Sequence, residues 1–363
     1  MPADDVRYIG QIPVRNLWLL MLYASDIYKE LNSSNVAVED NPDDIADLIA
    51  EMLCQRVEHR IQRNLSFGYQ SREAVISRMR GRVDLLSTER NRLLERGKVA
   101  CRFDELTIDT ARNRYVRAAL ESIAKVVRRK ELAHRCRSLD IRLRRMGVSQ
   151  VLPSRSEISV DRLGRHDAED KPMLTVANLA FNLVLPTEVE GSKYLSNPER
   201  EDLPWLRKLF EKGVAGFYET TLSNQGYKVT AGKRINWPVT DSSPGIERVL
   251  PSMKTDIIID NTALKQRIVI DTKFNALLTS GWYRQETLRS GYIYQMYAYL
   301  RSQEDSTDSL DKYASGLFIH PSVGESINEY VVIQNHKIQF ATVDLSASAK
   351  EIRRQLLSLI LDI

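Results

Sequence analysis

Asp256, Asp271 and Lys273 are the residues of this chain whose types and spacing best suit chemistry. They lie in two short apolar runs, residues 255–260 and 267–273, separated by the polar stretch 261–266. Each run is rich in β-branched residues and bounded by charged or turn-forming ones, which predicts a strand. Folded back about the Ala263/Leu264 midpoint, the two runs set Asp256 directly opposite Asp271, because antiparallel partners sum to a constant number. Lys273 points the same way as Asp271, since strand side chains alternate with period two. Facing carboxylates with Cβ atoms roughly 5 Å apart repel unless positive charge lies between them. A divalent cation answers that need. Mg²⁺ is typically held by one or two carboxylates with waters and phosphate oxygens, and a neighbouring lysine can steady the charge that develops during phosphodiester hydrolysis. Asp-x-Lys is also a common surface tripeptide and acids often cap strand ends, so it is the register with Asp256 that favours a site.

The elements around these residues divide the chain. Its 363 residues suffice for two domains, each with its own core. A boundary is expected where Gly191, Ser192, Asn197 and Pro198 interrupt any periodic pattern, giving domains 1–195 and 196–363. The first reads as mainly helical, with helices over 16–28 and 42–62. Residues 74–84 alternate apolar and basic and predict a strand or hairpin, and Asp109 or Thr110 can cap a helix that runs from Ala111 into the Arg-rich stretch 128–145. The second domain reads α, three strands, α, strand, with two more strand candidates at 329–334 and 339–344 and a final helix, so the fold class is α+β or α/β.

Composition excludes several classes. The three cysteines, Cys54, Cys101 and Cys136, form no Cys-x-x-Cys pair, and the five histidines include no His-Glu-x-x-His, so zinc chemistry has no support and a reducing cytoplasm fits. The longest apolar run, Leu17 to Ala24, is far short of the roughly 20 residues that span a bilayer. Asp4 and Asp5 ahead of it do not suit a secretory leader, and the run reads as a buried helix. Residues 226–234 look like a P-loop, but the spacing is one residue too long and Arg234 stands where Ser or Thr would hold Mg²⁺. No nucleotide hydrolysis is expected of this chain. Charge is uneven: residues 51–150 hold 24 Lys and Arg against 12 Asp and Glu, and residues 1–50 hold 3 against 9. The basic block suits a nucleic-acid backbone, an acidic protein partner, or a set of solvated helix faces.

The chain resembles the PD-(D/E)xK nuclease superfamily, and within it the McrC family, nuclease subunits of McrBC modification-dependent restriction systems. The likeness rests on Lys254 to Ile259, on Ile268 to Phe274, and on Gln295 to Tyr299, which is similar to the Gln-x-x-x-Tyr element of RecB-like members. In the first half it rests on Ile12 to Trp18, Arg80-Gly81-Arg82-Val83-Asp84 and Asp109 to Arg114, so that it spans most of the chain.

The resemblance implies an αβββαβ nuclease domain in which Asp256 and Asp271 are metal ligands and Lys273 is the catalytic lysine. Gln295 and Tyr299, four apart on one helical face, would line the site; Tyr299 also reads as simple core. A first-helix glutamate often completes such sites. Glu211 is the candidate, Glu219 the rival, and a solvated helix face the plain reading of both. The proline of the superfamily's name is missing before Asp256, as in many members. McrC-like proteins work with McrB, a GTP-hydrolysing AAA+ ring, which implies a hexameric ring that binds GTP in place of this chain, with double-stranded, modified DNA as substrate and no membrane. Arg78, Arg80 and Arg82 are candidates for the contact with that ring, with DNA-backbone binding or solvation the alternatives. The resemblance leaves two other readings open: a free-standing RecB-like repair nuclease, and a non-cutting adaptor that activates the partner's GTPase.

Overall fold

The computed structural model describes residues 8–9, 11–25, 27, 45–160, 169–189, 204–275, 278–279, 287–304, 308–324 and 326–362. It is a mixed α+β protein of two compact units. One comprises Ala46–Val184; the other joins Met1–Ile45 to Leu185–Ile363.

The second of these units carries a six-stranded sheet. Its strands are β1 (Lys228–Ala231), β2 (Ile257–Asn261), β3 (Gln266–Thr272), β4 (Ser315–Ser322), β5 (Asn328–Ile333) and β6 (His336–Asp344), in spatial order β5-β6-β4-β3-β2-β1. The β1–β2, β2–β3 and β5–β6 pairs are antiparallel, whereas β3–β4 and β4–β6 are parallel. Strands β2 and β3 read as near-continuous Ile and Val because both faces are covered. Among the described residues this unit includes the helices α1 (Val14–Tyr23), α2 (Pro204–Leu222), α3 (Ser290–Gln303) and α4 (Ala349–Leu361). On one face Met296, Tyr299 and Leu300 of α3 pack with Ile258, Val269, Phe318 and Phe340. A Cβ on Gly316 of β4 would lie 2.4 Å from Met296, so the missing side chain lets α3 approach the sheet closely.

This division differs from domains 1–195 and 196–363 in joining Met1–Ile45 to the unit that resumes at Leu185. The run 17–24 is indeed a buried helix, but its core is the second unit's. Helix α1 packs on α2, where a Cβ on Gly213 would lie 3.0 Å from the Leu20 carbonyl oxygen and one on Gly216 only 1.9 Å from that of Tyr23. Asn16, buried, donates through Nδ2 to the Leu345 carbonyl at 2.7 Å and the Ala347 carbonyl at 2.9 Å, just ahead of α4. A helix apolar all round must be enclosed. Its sequence states that need without saying what encloses it. The residues around the expected boundary, 190–203, lie outside the described ones.

The Ala46–Val184 unit has a three-stranded antiparallel sheet, Gly68–Ile76, Val99–Thr107 and Arg82–Val83, the middle place taken by Val99–Thr107. Helices Ile45–Gln62, Ala111–Ile123 and Lys130–Arg145 supply most of its core. Thr110 caps Ala111–Ile123 by accepting from the Asn113 amide at 3.2 Å. The expected run-on into the Arg-rich stretch does not occur. The chain turns after Ile123, and the Arg128 amide is taken by Asp47 Oδ1 at 2.8 Å before a separate helix starts at Lys130. The signature 109–114 is a structural latch. Arg112 and Arg60 converge on the fully buried Asp170 at 3.2 and 2.8 Å, Asn113 donates to the Ser66 and Ile108 carbonyls, and Arg114 pairs with Glu157. Buried charge persists when paired in this way, and removing one partner would leave the other uncompensated.

Candidate active site

The β2–β3 register pairs Ile257 with Ile270 and Asp260 with Arg267, so one further step sets Asp256 against Asp271. Asp256 leaves the strand at that step. Its Oδ2 accepts from the Thr272 amide at 2.7 Å and the Thr272 hydroxyl at 2.9 Å, and its carbonyl accepts from Gly232 at 2.7 Å. The facing acids therefore avoid direct opposition because one turns to neighbouring donors.

Asp271 is 3% exposed at the end of β3. Its Oδ2 lies 2.7 Å from Lys273 Nζ, and its Oδ1 accepts from Gln295 Nε2 at 3.2 Å. Gln295 also donates to the Tyr299 hydroxyl at 2.8 Å, which in turn donates to the Lys254 carbonyl at 3.1 Å. Lys273 Nζ reaches Gln295 Oε1 at 3.5 Å. Gln295 and Tyr299 thus do more than share a helical face: they clamp the Asp271–Lys273 pair from α3. Burial pushes the Asp271 carboxyl up to about 6; Lys273 pulls it down, while the charges of Asp256 and Glu211 push it further up. Glu211 of α2 is itself raised, first by burial and then by Asp256. Glu219, two turns along, is exposed. Of the two glutamates, Glu211 is the one whose charge is felt at Asp271.

Asp271 and Glu211, raised by burial and by neighbouring carboxylate charge, together with Asp256 offer the oxygen ligands that suit a hard divalent cation in chemistry. Among the described residues no three acidic, His or Cys side chains already converge on one point, and the Lys273 ammonium supplies the positive charge beside Asp271.

Three residues beside the site were not marked by the sequence pattern. Tyr292 lies with its ring centroid 5.3 Å from Lys273 Nζ, and its hydroxyl accepts from Asn275 Nδ2 at 2.7 Å. His320 Nδ1 is 3.0 Å from the Asn275 carbonyl oxygen, which can only accept, so Nδ1 carries the proton. Burial pushes the His320 imidazole down to about 4, helped by Lys273 and Arg289. One signal was available: Tyr292, Gln295 and Tyr299 follow a three-four spacing along α3, the mark of one helical face.

The P-loop-like stretch is neither followed by a helix nor shaped for phosphate: it forms edge strand β1, a left-handed Gly232 and the short strand Arg234–Ile235. In the other unit Arg78, Arg80 and Arg82 are exposed. Arg80 lies over the Phe103 ring at 4.5 Å, and Arg82 pairs in register with Arg102. Gly81 has φ +64°, and a Cβ there would lie 2.4 Å from the Arg102 carbonyl oxygen, which explains the glycine between the two arginines. Beside them Met79, Leu85 and Leu86 are 76%, 68% and 82% exposed, and Leu85 and Leu86 line a cavity of about 680 Å³.

Together these features define an α+β protein with a buried carboxylate–lysine pair at the end of a central strand. The chain belongs to the McrBC family: the model of the McrBC 5-methylcytosine restriction system component matches residues 4–310. It is 25% identical over 350 residues to the type IV methyl-directed restriction enzyme EcoKMcrBC of Escherichia coli (strain K12), covering 96% of this chain and 97% of that protein. Among solved structures it is similar to a half-complex from the tetradecameric assembly of Thermococcus gammatolerans McrB AAA+ hexamers with bound McrC. That similarity has 13% identity and a TM-score of 0.44, covering 96% of this chain and 76% of that one. A second T. gammatolerans McrBC complex aligns with 50% of this chain and 60% of that one, at 11% identity and a TM-score of 0.32. No helix among the described residues is long and apolar enough to cross a membrane.

Proposed function

We propose that this chain is the McrC-like endonuclease subunit of a modification-dependent restriction complex, with a PD-(D/E)xK nuclease domain that hydrolyses phosphodiester bonds of double-stranded, modified DNA in the cytoplasm. The observation that carries the reading is the buried Asp271, bonded at once to Lys273 and Gln295 beside Asp256. Asp256 and Asp271, with Glu211, would hold Mg²⁺. When bound, that ion supplies charge to polarise the phosphate and to make water nucleophilic at neutral pH. The chain's own residues do the rest. Gln295 and Tyr299 fix the Asp271 carboxylate, and Thr272 fixes that of Asp256. Lys273 would donate from its ammonium to the phosphate oxygen on which negative charge grows.

The motor is an McrB-like AAA+ GTPase ring, a hexamer that binds the GTP. The exposed Leu85 and Leu86, which line one open cavity close in sequence to Arg78, Arg80 and Arg82, favour a partnered protein over a free-standing RecB-like nuclease, since exposed apolar surface of this kind suits an interaction site. Intact Asp256, Asp271 and Lys273 count against an adaptor that only activates the GTPase. The test is cleavage of methylated DNA by the purified chain with and without the partner, GTP and Mg²⁺. Cutting only when all are present supports the assembled nuclease; cutting without partner or GTP supports the free-standing reading. GTPase stimulation without any cutting supports the adaptor.

A further inference from the structure

Lys273 is held on three sides. Asp271 and Gln295 take two, and the third is the face of Tyr292, whose ring centroid lies 5.3 Å from Nζ, within the roughly 6 Å over which a cation is drawn to an aromatic face. That ring is itself fixed. It stacks on Phe318 at 5.6 Å and 29°, lies 5.7 Å from the His320 ring, and its hydroxyl accepts from Asn275 Nδ2. Asn275 is anchored in turn through its carbonyl by the protonated Nδ1 of the fully buried His320. A chain of contacts thus runs from the core of β4 through Asn275 and Tyr292 to the Lys273 ammonium. The arrangement has a mechanical purpose if Lys273 must leave Asp271 when a cation enters. An ammonium without another partner would follow the carboxylate or swing to solvent, whereas a π face adds a further hold on it; the Arg289 guanidinium also lies by this ring, 6.0 Å from its centroid.

We infer that Tyr292 is a positioning residue for Lys273, its ring face holding the ammonium toward the phosphate while Asn275 and His320 hold the ring. This rests on the nuclease reading for its consequence in catalysis, but the Tyr292–Lys273 relationship can be measured without catalysis. Two isosteric variants separate the ring's charge distribution from its shape: Tyr292→Phe, and Tyr292→pentafluorophenylalanine, in which the quadrupole is inverted. In the full chain, the rate of Lys273 acylation by an N-hydroxysuccinimide ester is followed by peptide mass spectrometry. Single-turnover cleavage and DNA affinity are measured on the partner-bound complex with Mg²⁺ and GTP.

The Phe variant, which keeps the π face but loses the Asn275 bond, is expected to label and cleave within about fivefold of the natural protein, and it is the reference for the fluorinated variant. The fluorinated variant is expected to label faster and cleave more slowly, each by about two- to thirty-fold, the range of a cation–π contact, with DNA affinity unchanged. A purely structural ring would leave the two variants alike, and that result in both readouts overturns the inference. Loss of DNA affinity with an unchanged cleavage constant overturns it as well. Absence of cleavage by the natural protein under every condition would refute the nuclease reading, and the labelling comparison would still decide the inference.

Discussion

Lys273 Nζ and Asp271 Oδ2 lie 2.7 Å apart at a point where Asp271 is almost wholly enclosed, so the pair is an internal ion pair rather than a surface contact. Such a pair is strongly coupled, and its carboxylate is at the same time crowded by Asp256 and Glu211.

Replacing Asp256, Asp271 or Lys273 by Ala is expected to abolish detectable cleavage, a loss of at least about 10³-fold, since each change removes a carboxylate or the charge-stabilising ammonium. The proteins should remain folded. Circular dichroism and thermal melts check the fold, gel assays the cleavage.

The Asp271 carboxyl, raised to about 6 from an ordinary 3.8, gives a pH dependence of known sign. A carboxylate with a folded pKa above its unfolded value binds its proton more tightly when folded. The ionised group therefore costs stability above pH 6, and that cost shrinks as pH falls toward 4. Asp271→Asn, which mimics the protonated form, should be more stable than the natural protein by about 1–3 kcal/mol at pH 7.5 and by only about a third of that at pH 4.5. Denaturant melts at the two pH values compare them. A constant difference across that range would remove the electrostatic explanation.

Glu211→Gln should weaken Mg²⁺ binding and slow cleavage by about ten- to a hundred-fold, the range for altered metal-site residues, while Glu219→Gln leaves both unchanged. Calorimetric titration with Mg²⁺ reads the first effect. Equal effects of the two variants would remove Glu211 from the site.

Joint replacement of Arg78, Arg80 and Arg82 by Ala should weaken stimulation of the partner's GTPase, and natural stimulation should fall with rising salt because exposed charges are screened. Asp271→Ala should stimulate normally. Normal stimulation by the triple variant at all salt concentrations would move the docking surface elsewhere.

Gly216→Ala should destabilise the unit that carries the sheet by about 1–3 kcal/mol or more, because its Cβ would collide with the Tyr23 carbonyl 1.9 Å away and force α1 off α2. Urea denaturation measures it.

What the sequence disclosed and what it hid have physical causes. The β2–β3 register was legible because both strands are short, apolar and joined by a polar turn, which fixes the constant sum that sets Asp256 against Asp271. Gln295 and Tyr299 were legible as one helical face, yet their clamp on Asp271 depends on how α3 lies across the sheet, which periodicity does not encode. That α1 belongs to the sheet-bearing unit was not legible because α1 and α2 are nearly 200 residues apart. The glycines at 213 and 216 record their contact only once the partner helix is known. Tyr292, Asn275 and His320 were missed for the same reason: they come from three separate segments and meet only in the folded sheet.

The decisive measurement is cleavage of methylated DNA by the reconstituted complex with GTP and Mg²⁺, comparing the natural chain with Asp271→Ala at equal GTPase stimulation. Cutting by the natural complex, with none by a variant that still drives GTP hydrolysis, is the expected result. Full cleavage by Asp271→Ala would contradict the assignment of the site.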